Sequence, residues 1–438
     1  MNYRIEGGQP LSGTVQTNIS KNAAVALLCA SLLNKGETIL KRMPRIEEVK
    51  RLIEVMESIG VKIIWDKSGD MRITPPKRFD LSHINRASAE RTRSIALFIA
   101  PLAHHVRSFD LPAPAGCDLG KRSLGAHIDA LARLGIRVSG SPETHSYHVE
   151  VDEPPTGEPI REIIMYEASD TGVENVLMAA ALIPGQTVIK FASANYMVQD
   201  LCVFLRHCGV QIEGIGTHML VVHGLKEIRA EVHGHPSEDP IESMFFISLA
   251  AATGSELTVE RCPIDFLELE LFTLAHMGLQ FTRGELYASE NGHTVLRDIT
   301  VHPSDLHAPP EKIAPRPYPG INIDNLPFFV PVATQAHGET LIHDWVYEGR
   351  ARYYLEMNKL GADIALLDPH RVLIKGPTRL HAADIEAPPA LRPATLLLIG
   401  MLAAQGRSTL VNVYPINRGY ENLHERLRKI GASVEAID

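Results

Sequence analysis

Apolar stretches of helical length alternate with short β-branched runs along this chain, and glycines punctuate them at a regular period. A helical pattern running into "hydrophobic-Gly-hydrophobic-x-hydrophobic" occurs six times: "SIGVKI", "RLGIRV", "HCGVQI", "HMGLQF", "KLGADI" and "KIGASV". The glycines are Gly60, Gly135, Gly209, Gly278, Gly361 and Gly431, spaced by 75, 74, 69, 83 and 70 residues. Each reads as a helix closed by a C′ glycine and followed by a strand. A second glycine lies 23 to 25 residues upstream, before a β-branched run, as Gly36, Gly185, Gly254, Gly338 and Gly406; the second copy has "HHVRSFDL" instead. Apolar helices such as "NAAVALLCASLL" and "ATLLLIGMLAA" precede these runs. The unit is therefore strand, helix, strand, helix, strand, and six of them predict an α/β protein. At about 70 residues the unit exceeds the roughly 20–50 residues of short-repeat solenoids, which favours two lobes of three units.

Counting back 37 to 42 residues from each terminal glycine lands on the predicted start of the first helix, at Lys21, Arg93, Asp170, Asp239, Asp324 and Arg392. The second helix is predicted to start near Arg122 and Arg418, each 13 residues before its glycine. Acids there cap helices and complement the dipole. Cations oppose it, so Lys21, Arg93, Arg122, Arg392 and Arg418 at equivalent places point to a bound anion, which helix N–H groups also favour. In "LRPATLLL", Pro393 suits the first helical position and places Arg392 at the mouth.

Composition narrows the choice. With 438 residues the chain is too long for one core. The net charge of −9 and the lack of a Lys/Arg-rich run argue against a nucleic-acid partner, so an anionic substrate must be held by local cations. The five cysteines form no C-x-x-C pair, which suits a reduced compartment. The opening "MNYRIEGGQPLSG" lacks a signal-peptide core and the apolar runs fall short of a membrane span, so a cytoplasmic protein without a membrane partner is expected. "GCDLGKRS" fails as a phosphate loop, with Ala115 and Arg122 where Gly and Ser/Thr are needed. The twenty histidines form no metal motif. Cys117 stands apart on a Pro- and Gly-rich loop near Arg122, whose charge would lower the thiol's pKa. Cys29, Cys202, Cys208 and Cys262 fall in scaffold patterns.

Six α/β units, a loop cysteine and this set of cations resemble the enolpyruvyltransferase family. The resemblance covers the whole chain through "SKNAA" (20–24), "AGCDLGKRSLGAHIDAL" (115–131), "PYPGINID" (317–324), "YEGR" (347–350), "ALR" (390–392) and "NRGYE" (417–421). It implies a two-domain inside-out α/β barrel with three repeats per domain. One domain would span 21–234 and the other 1–20 plus 235–438, with the active site in the cleft between them. It implies transfer of the enolpyruvyl group of phosphoenolpyruvate to a hydroxyl of UDP-N-acetylglucosamine, with release of phosphate, a role in peptidoglycan biosynthesis, sensitivity to fosfomycin, and no cofactor or metal.

By the same resemblance, Lys21 and Arg122 bind phosphate and Arg392 and Arg418 the carboxylate. Arg93, Glu348 and Arg350 line the substrate site, Asn22 and Asp324 hold the acceptor with Asp324 as base, and Cys117 is a proton donor or an aid to product release. The chain departs from the family near the acceptor: Ala390 stands where Asp is usual, Gly125 where the loop ends in Asp, and Glu167 in place of Lys. Pro415 and Asn417 replace His and Asp, and "ANYMVQD" an acidic stretch. Two alternatives follow: an enolpyruvyltransferase for another hydroxyl, such as a nucleoside or nucleotide, and a non-catalytic paralogue.

Overall fold

The computed structural model describes residues 1–67, 69–114, 124–141, 145–152 and 160–438. The fold is mixed α/β, with six separate three- or four-stranded sheets among the described residues. All six repeat glycines have positive φ, between 80° and 96°, as the chain reverses from helix into strand. The helix before Gly361, Ala351–Leu360, is a 3₁₀ helix rather than the predicted α-helix.

The repeat is one strand longer than its periodicity predicts. In one copy Ile160–Ile164 pairs parallel with Gly185–Lys190, and Met219–Gly224 inserts antiparallel between Gly185–Lys190 and Gln211–Glu213. The added strand lies beyond the terminal glycine, where the repeat signal has ended.

Backbone contacts divide the described residues into two compact units. In the first, residues 1–20 and 238–438, the helices Pro240–Thr253, Phe329–Ala333 and Leu391–Ala403 pack on one another. Pro240–Thr253 and Leu391–Ala403 are apolar nearly all round, which suits only a helix enclosed on every side. The Asp239 carboxylate caps the first of them through the Ile241 and Glu242 N–H groups, and Gly254 closes it in the left-handed conformation. Strand Asn2–Gly7 lies between Gly406–Val411 and Ser433–Ile437, antiparallel to both. In the second unit, described residues from Lys21 to Ser237, the buried helices Lys21–Ala30, Asp170–Ala181 and Tyr196–His207 pack together.

Cys29, Cys202, Cys208 and Cys262 are buried. Burial raises all four thiols, Cys202, Cys208 and Cys262 to about 12.

Candidate functional site

In the first unit, three expected residues meet. Asp324 lies on the loop leading into the 3₁₀ turn Leu326–Phe328. Glu270, buried on the Glu268–His276 helix, fixes that loop by accepting from the Asn322 N–H and the Asn325 amide, each at 2.9 Å. Burial raises the Glu270 pKa, and these two hydrogen bonds oppose the shift. The Asp324 N–H donates to Asn322 Oδ1 at 2.9 Å. Its carboxylate, 23% exposed, lies between two guanidinium groups: Arg350 Nη1 is 3.8 Å from Oδ1 and Arg392 Nη2 is 3.6 Å from Oδ2.

Arg350 is 1% exposed. Its Nε and Nη2 donate to Asp344 at 2.6 and 2.9 Å, and Nη2 also donates to the Ile323 carbonyl at 2.8 Å. Tyr354 donates to the same Asp344 carboxylate at 2.6 Å, and the Tyr347 ring lies 4.2 Å from the guanidinium. Burial works against the Arg350 charge, but Tyr354 and Asp344 more than offset it and hold its pKa above the usual value.

Arg392 is the second residue of Leu391–Ala403, whose first intrahelical bond runs from the Ala394 N–H to the Ala390 carbonyl. Pro393 is therefore the third helical residue rather than the first, a place where an α-helix also needs no N–H donor. Arg392 Nη1 donates to Tyr420 Oη at 3.2 Å. Asp239 feels the Arg392 charge too: burial raises it to about 6, with Arg392 opposing and Glu242 adding to the rise.

Arg418 departs from the expected helix start. It ends the one-turn helix Tyr414–Asn417 instead, and the next helix, Leu423–Lys429, begins five residues later. Glu348 is exposed on the turn before Arg350. Ala390, where the resemblance leads one to expect a carboxylate, is buried in a small apolar cluster with Tyr347, Ile323 and Tyr353.

In the second unit, Lys21 and Asn22 open the helix Lys21–Ala30. Asn22 Nδ2 donates to Tyr196 Oη at 3.3 Å. Glu174 is buried in the Asp170–Ala181 helix, and burial pushes its carboxyl well above the usual range; Asp170 and Asp200 add to the rise while Lys21 opposes it. Arg93 opens the 3₁₀ helix Arg93–Phe98, capped by Thr92, and its charge reaches His127 and Tyr147. His127, lowered to about 4 by burial first and Arg93 second, is neutral. Its Nδ1 accepts from Asn175 at 2.9 Å, leaving Nε2–H to donate to Thr171 at 3.2 Å. Glu167 is exposed beside Tyr166, and Gly125 opens the helix Gly125–Ala132. Cys117 and Arg122 lie outside the described residues.

Asp344, Glu270 and Glu174 escaped the sequence reading. A buried arginine demands an acid partner, but no spacing rule selects Asp344 before Arg350 is known to be buried. Among the described residues no helix is long and apolar enough to cross a membrane, and no cluster of three His, Cys, Asp or Glu side chains is placed to hold a metal ion.

Solved structures share the fold. The enolpyruvyl transferase NikO from Streptomyces tendae aligns over 99% of this chain and 98% of its own, with a TM-score of 0.85 and 23% identity. EPSP synthase from Acinetobacter baumannii aligns over the full length of both chains, with a TM-score of 0.73 and 17% identity. At these identities the likeness is one of fold. A family model for EPSP synthase (3-phosphoshikimate 1-carboxyvinyltransferase) matches residues 5–427, and the chain belongs to this family of enolpyruvyl (carboxyvinyl) transferases. Relatives named UDP-N-acetylglucosamine 1-carboxyvinyltransferase, from Treponema denticola and Thermobifida fusca, are each 33% identical over 99% of this chain and cover 98% and 97% of their own lengths.

Proposed function

We propose that the protein transfers the enolpyruvyl group of phosphoenolpyruvate to a hydroxyl of UDP-N-acetylglucosamine, as a step of peptidoglycan synthesis, and that each unit is a three-repeat half of an inside-out α/β barrel. Full-length likeness to the two carboxyvinyltransferases supports the acceptor. The Asp324 carboxylate, partly exposed between Arg350 and Arg392, is the observation that carries the chemistry.

Asp324 takes the proton of the acceptor hydroxyl. The oxygen adds to C2 of phosphoenolpyruvate as the methylene C3 takes a proton from Cys117, giving a tetrahedral phospho-ketal. C3 then returns a proton as the C2–O bond to phosphate breaks, leaving the enolpyruvyl ether and inorganic phosphate. Lys21 and Arg122 hold the phosphate, and Arg392 and Arg418 the carboxylate, which a planar guanidinium fits well. Asn22 holds the acceptor with Asp324, and Arg93, Glu348 and Arg350 line the substrate site.

Fosfomycin, an epoxide resembling phosphoenolpyruvate, should add once, at Cys117. The other four thiols are buried and raised, hence protonated and inert. Peptide mapping with acceptor present checks this, and an adduct confined to any other cysteine would sink the role given to Cys117.

A second reading keeps the reaction and changes the acceptor. Exposed Glu167 puts negative charge where a nucleotide diphosphate would need a cation, and burial followed by the charges of Glu167 and Asp129 raises the neighbouring Tyr166 phenol. Calorimetry with UDP-N-acetylglucosamine, UMP and uridine, alongside phosphate release, separates the two. Micromolar binding and efficient turnover of UDP-N-acetylglucosamine would exclude the second reading.

A further inference from the structure

We propose that Tyr196 is a positioning residue for the acceptor: its phenol sets the orientation of the Asn22 amide. The inference rests on the reading of Asn22 as an acceptor ligand. Tyr196 stands in "ANYMVQD", the stretch that takes the place of an acidic segment. Asp200 is the one acid of this stretch, and its carboxylate accepts from the Ser237 N–H and Oγ at 2.8 and 2.7 Å. Toward Asn22 the stretch presents a neutral phenol instead: Asn22 Nδ2 donates to Tyr196 Oη at 3.3 Å.

A side-chain amide is planar, with donors on its nitrogen and an acceptor on its oxygen. Once Nδ2 is engaged by Tyr196, the direction of Oδ1 is set as well, so one hydrogen bond orients both ends of the side chain. A phenol does this without charge. A carboxylate in its place would add a negative charge beside Asn22, one residue from Lys21, the proposed phosphate ligand.

Tyr196 is itself firmly held. It is 1% exposed and opens the helix Tyr196–His207, which packs along Lys21–Ala30. Its N–H donates to Asn195 Oδ1 at 2.9 Å, and Asn195 Nδ2 donates to Asp170 at 3.2 Å. Asp170 also accepts from Ser193 Oγ, and Gln199 Nε2 donates to the Ala194 carbonyl at 2.8 Å. Residues 193–195, the turn before the helix, are thus each tied down. A fixed backbone delivers the phenol to the helix start that carries Lys21 and Asn22, the support that a precise ligand needs.

The variants are Tyr196→Phe, which removes only the hydroxyl, Asn22→Ala, and the two combined. Calorimetry with UDP-N-acetylglucosamine and with UMP gives acceptor affinity, phosphate release gives the KM for phosphoenolpyruvate, and thermal melting reports folding. Tyr196→Phe should weaken acceptor affinity fivefold or more and leave the phosphoenolpyruvate KM within twofold. In the Asn22→Ala background the same change should cost less than twofold further, because a residue that acts through Asn22 then has nothing to position. The full loss repeated in that background would make Tyr196 structural and overturn the proposal. So would a matching rise in the phosphoenolpyruvate KM, or an acceptor affinity that Tyr196→Phe leaves within twofold. Should Tyr196→Phe fail to fold, Asn195→Ala replaces it: loss of the cap should weaken acceptor affinity in the same direction by less, and an unchanged affinity overturns the proposal. An unmodified protein that binds neither UDP-N-acetylglucosamine nor UMP would sink the acceptor reading and this proposal with it, whereas acceptor binding insensitive to Tyr196→Phe sinks the proposal alone.

Discussion

Asp324 and Glu174 are two carboxylates beside cations, one in each unit, and their surroundings drive them apart. Asp324 is partly exposed, with a guanidinium near each oxygen. Glu174 is 2% exposed with the lysine charge of Lys21 nearby, yet burial outweighs that charge and raises its carboxyl. A cation does not by itself decide ionisation: full desolvation of Glu174 outweighs the charge of Lys21 and favours the neutral form. The first carboxylate suits proton abstraction. The second suits packing, beside the buried Cys29 and Cys202 thiols that feel its charge.

The largest break in this contrast should come from Asp324→Asn, which keeps the shape and removes the base. It should lower kcat by on the order of 10²–10⁴-fold without shifting the thermal melt, as phosphate-release assays and calorimetry would show. An early melt with activity proportional to folded protein would mark Asp324 as structural. Next is Arg392→Ala, which removes one of the two guanidiniums and the proposed carboxylate ligand. It should cost about 2–4 kcal/mol in kcat/KM, by analogy with loss of one preorganised charge-stabilising donor. An unchanged kcat/KM would rule the ligand role out.

Ala390→Asp tests the same neighbourhood from the other side. It sets a carboxylate into the apolar cluster of Tyr347, Ile323 and Tyr353. It should cost about 1–3 kcal/mol of stability, the scale of a buried and poorly paired polar group, read as a lower denaturation midpoint. A midpoint equal to that of the parent would mean that a partner compensates.

The smallest effect belongs to Glu174→Gln. A carboxyl raised in the folded state stabilises most below its unfolded pKa, and that stability is lost as pH rises through the folded pKa. Gln copies the neutral acid without this loss, so the variant should melt at the same temperature or slightly higher at pH 7, and its melt should vary less with pH than the parent's. A lower melt at pH 7 would mean that the charged form of Glu174 is needed.

Much of the scaffold was legible because glycine at positive φ leaves a strong mark: all six terminal glycines mark helix-to-strand reversals. Cations at helix starts were legible for Lys21, Arg93 and Arg392, where a long apolar run or a capping residue frames the position. Arg418 was misplaced because a single turn such as Tyr414–Asn417 is too short to carry a period. The extra strand of each unit escaped because it follows the glycine that seemed to end the pattern. The pairing of Arg350 with Asp344 was illegible for a deeper reason: which arginine is buried is a property of tertiary packing.

Strand Asn2–Gly7 has its partners at the far end of the chain, Ile5 opposite Ser408 on one side and Val434 on the other. During synthesis on the ribosome it emerges about 400 residues before those neighbours exist, a delay of roughly 20–80 s at ordinary elongation rates. Meanwhile its backbone N–H and C=O groups wait unpaired, an open edge that any passing strand could borrow. Residues 21–237 can condense within that interval, whereas the sheet that holds Asn2–Gly7 can close only after residues 406–437 have been made. This pairing thus ties completion of the unit to synthesis of its last repeat, so a nascent fragment that stalls before it cannot mature there.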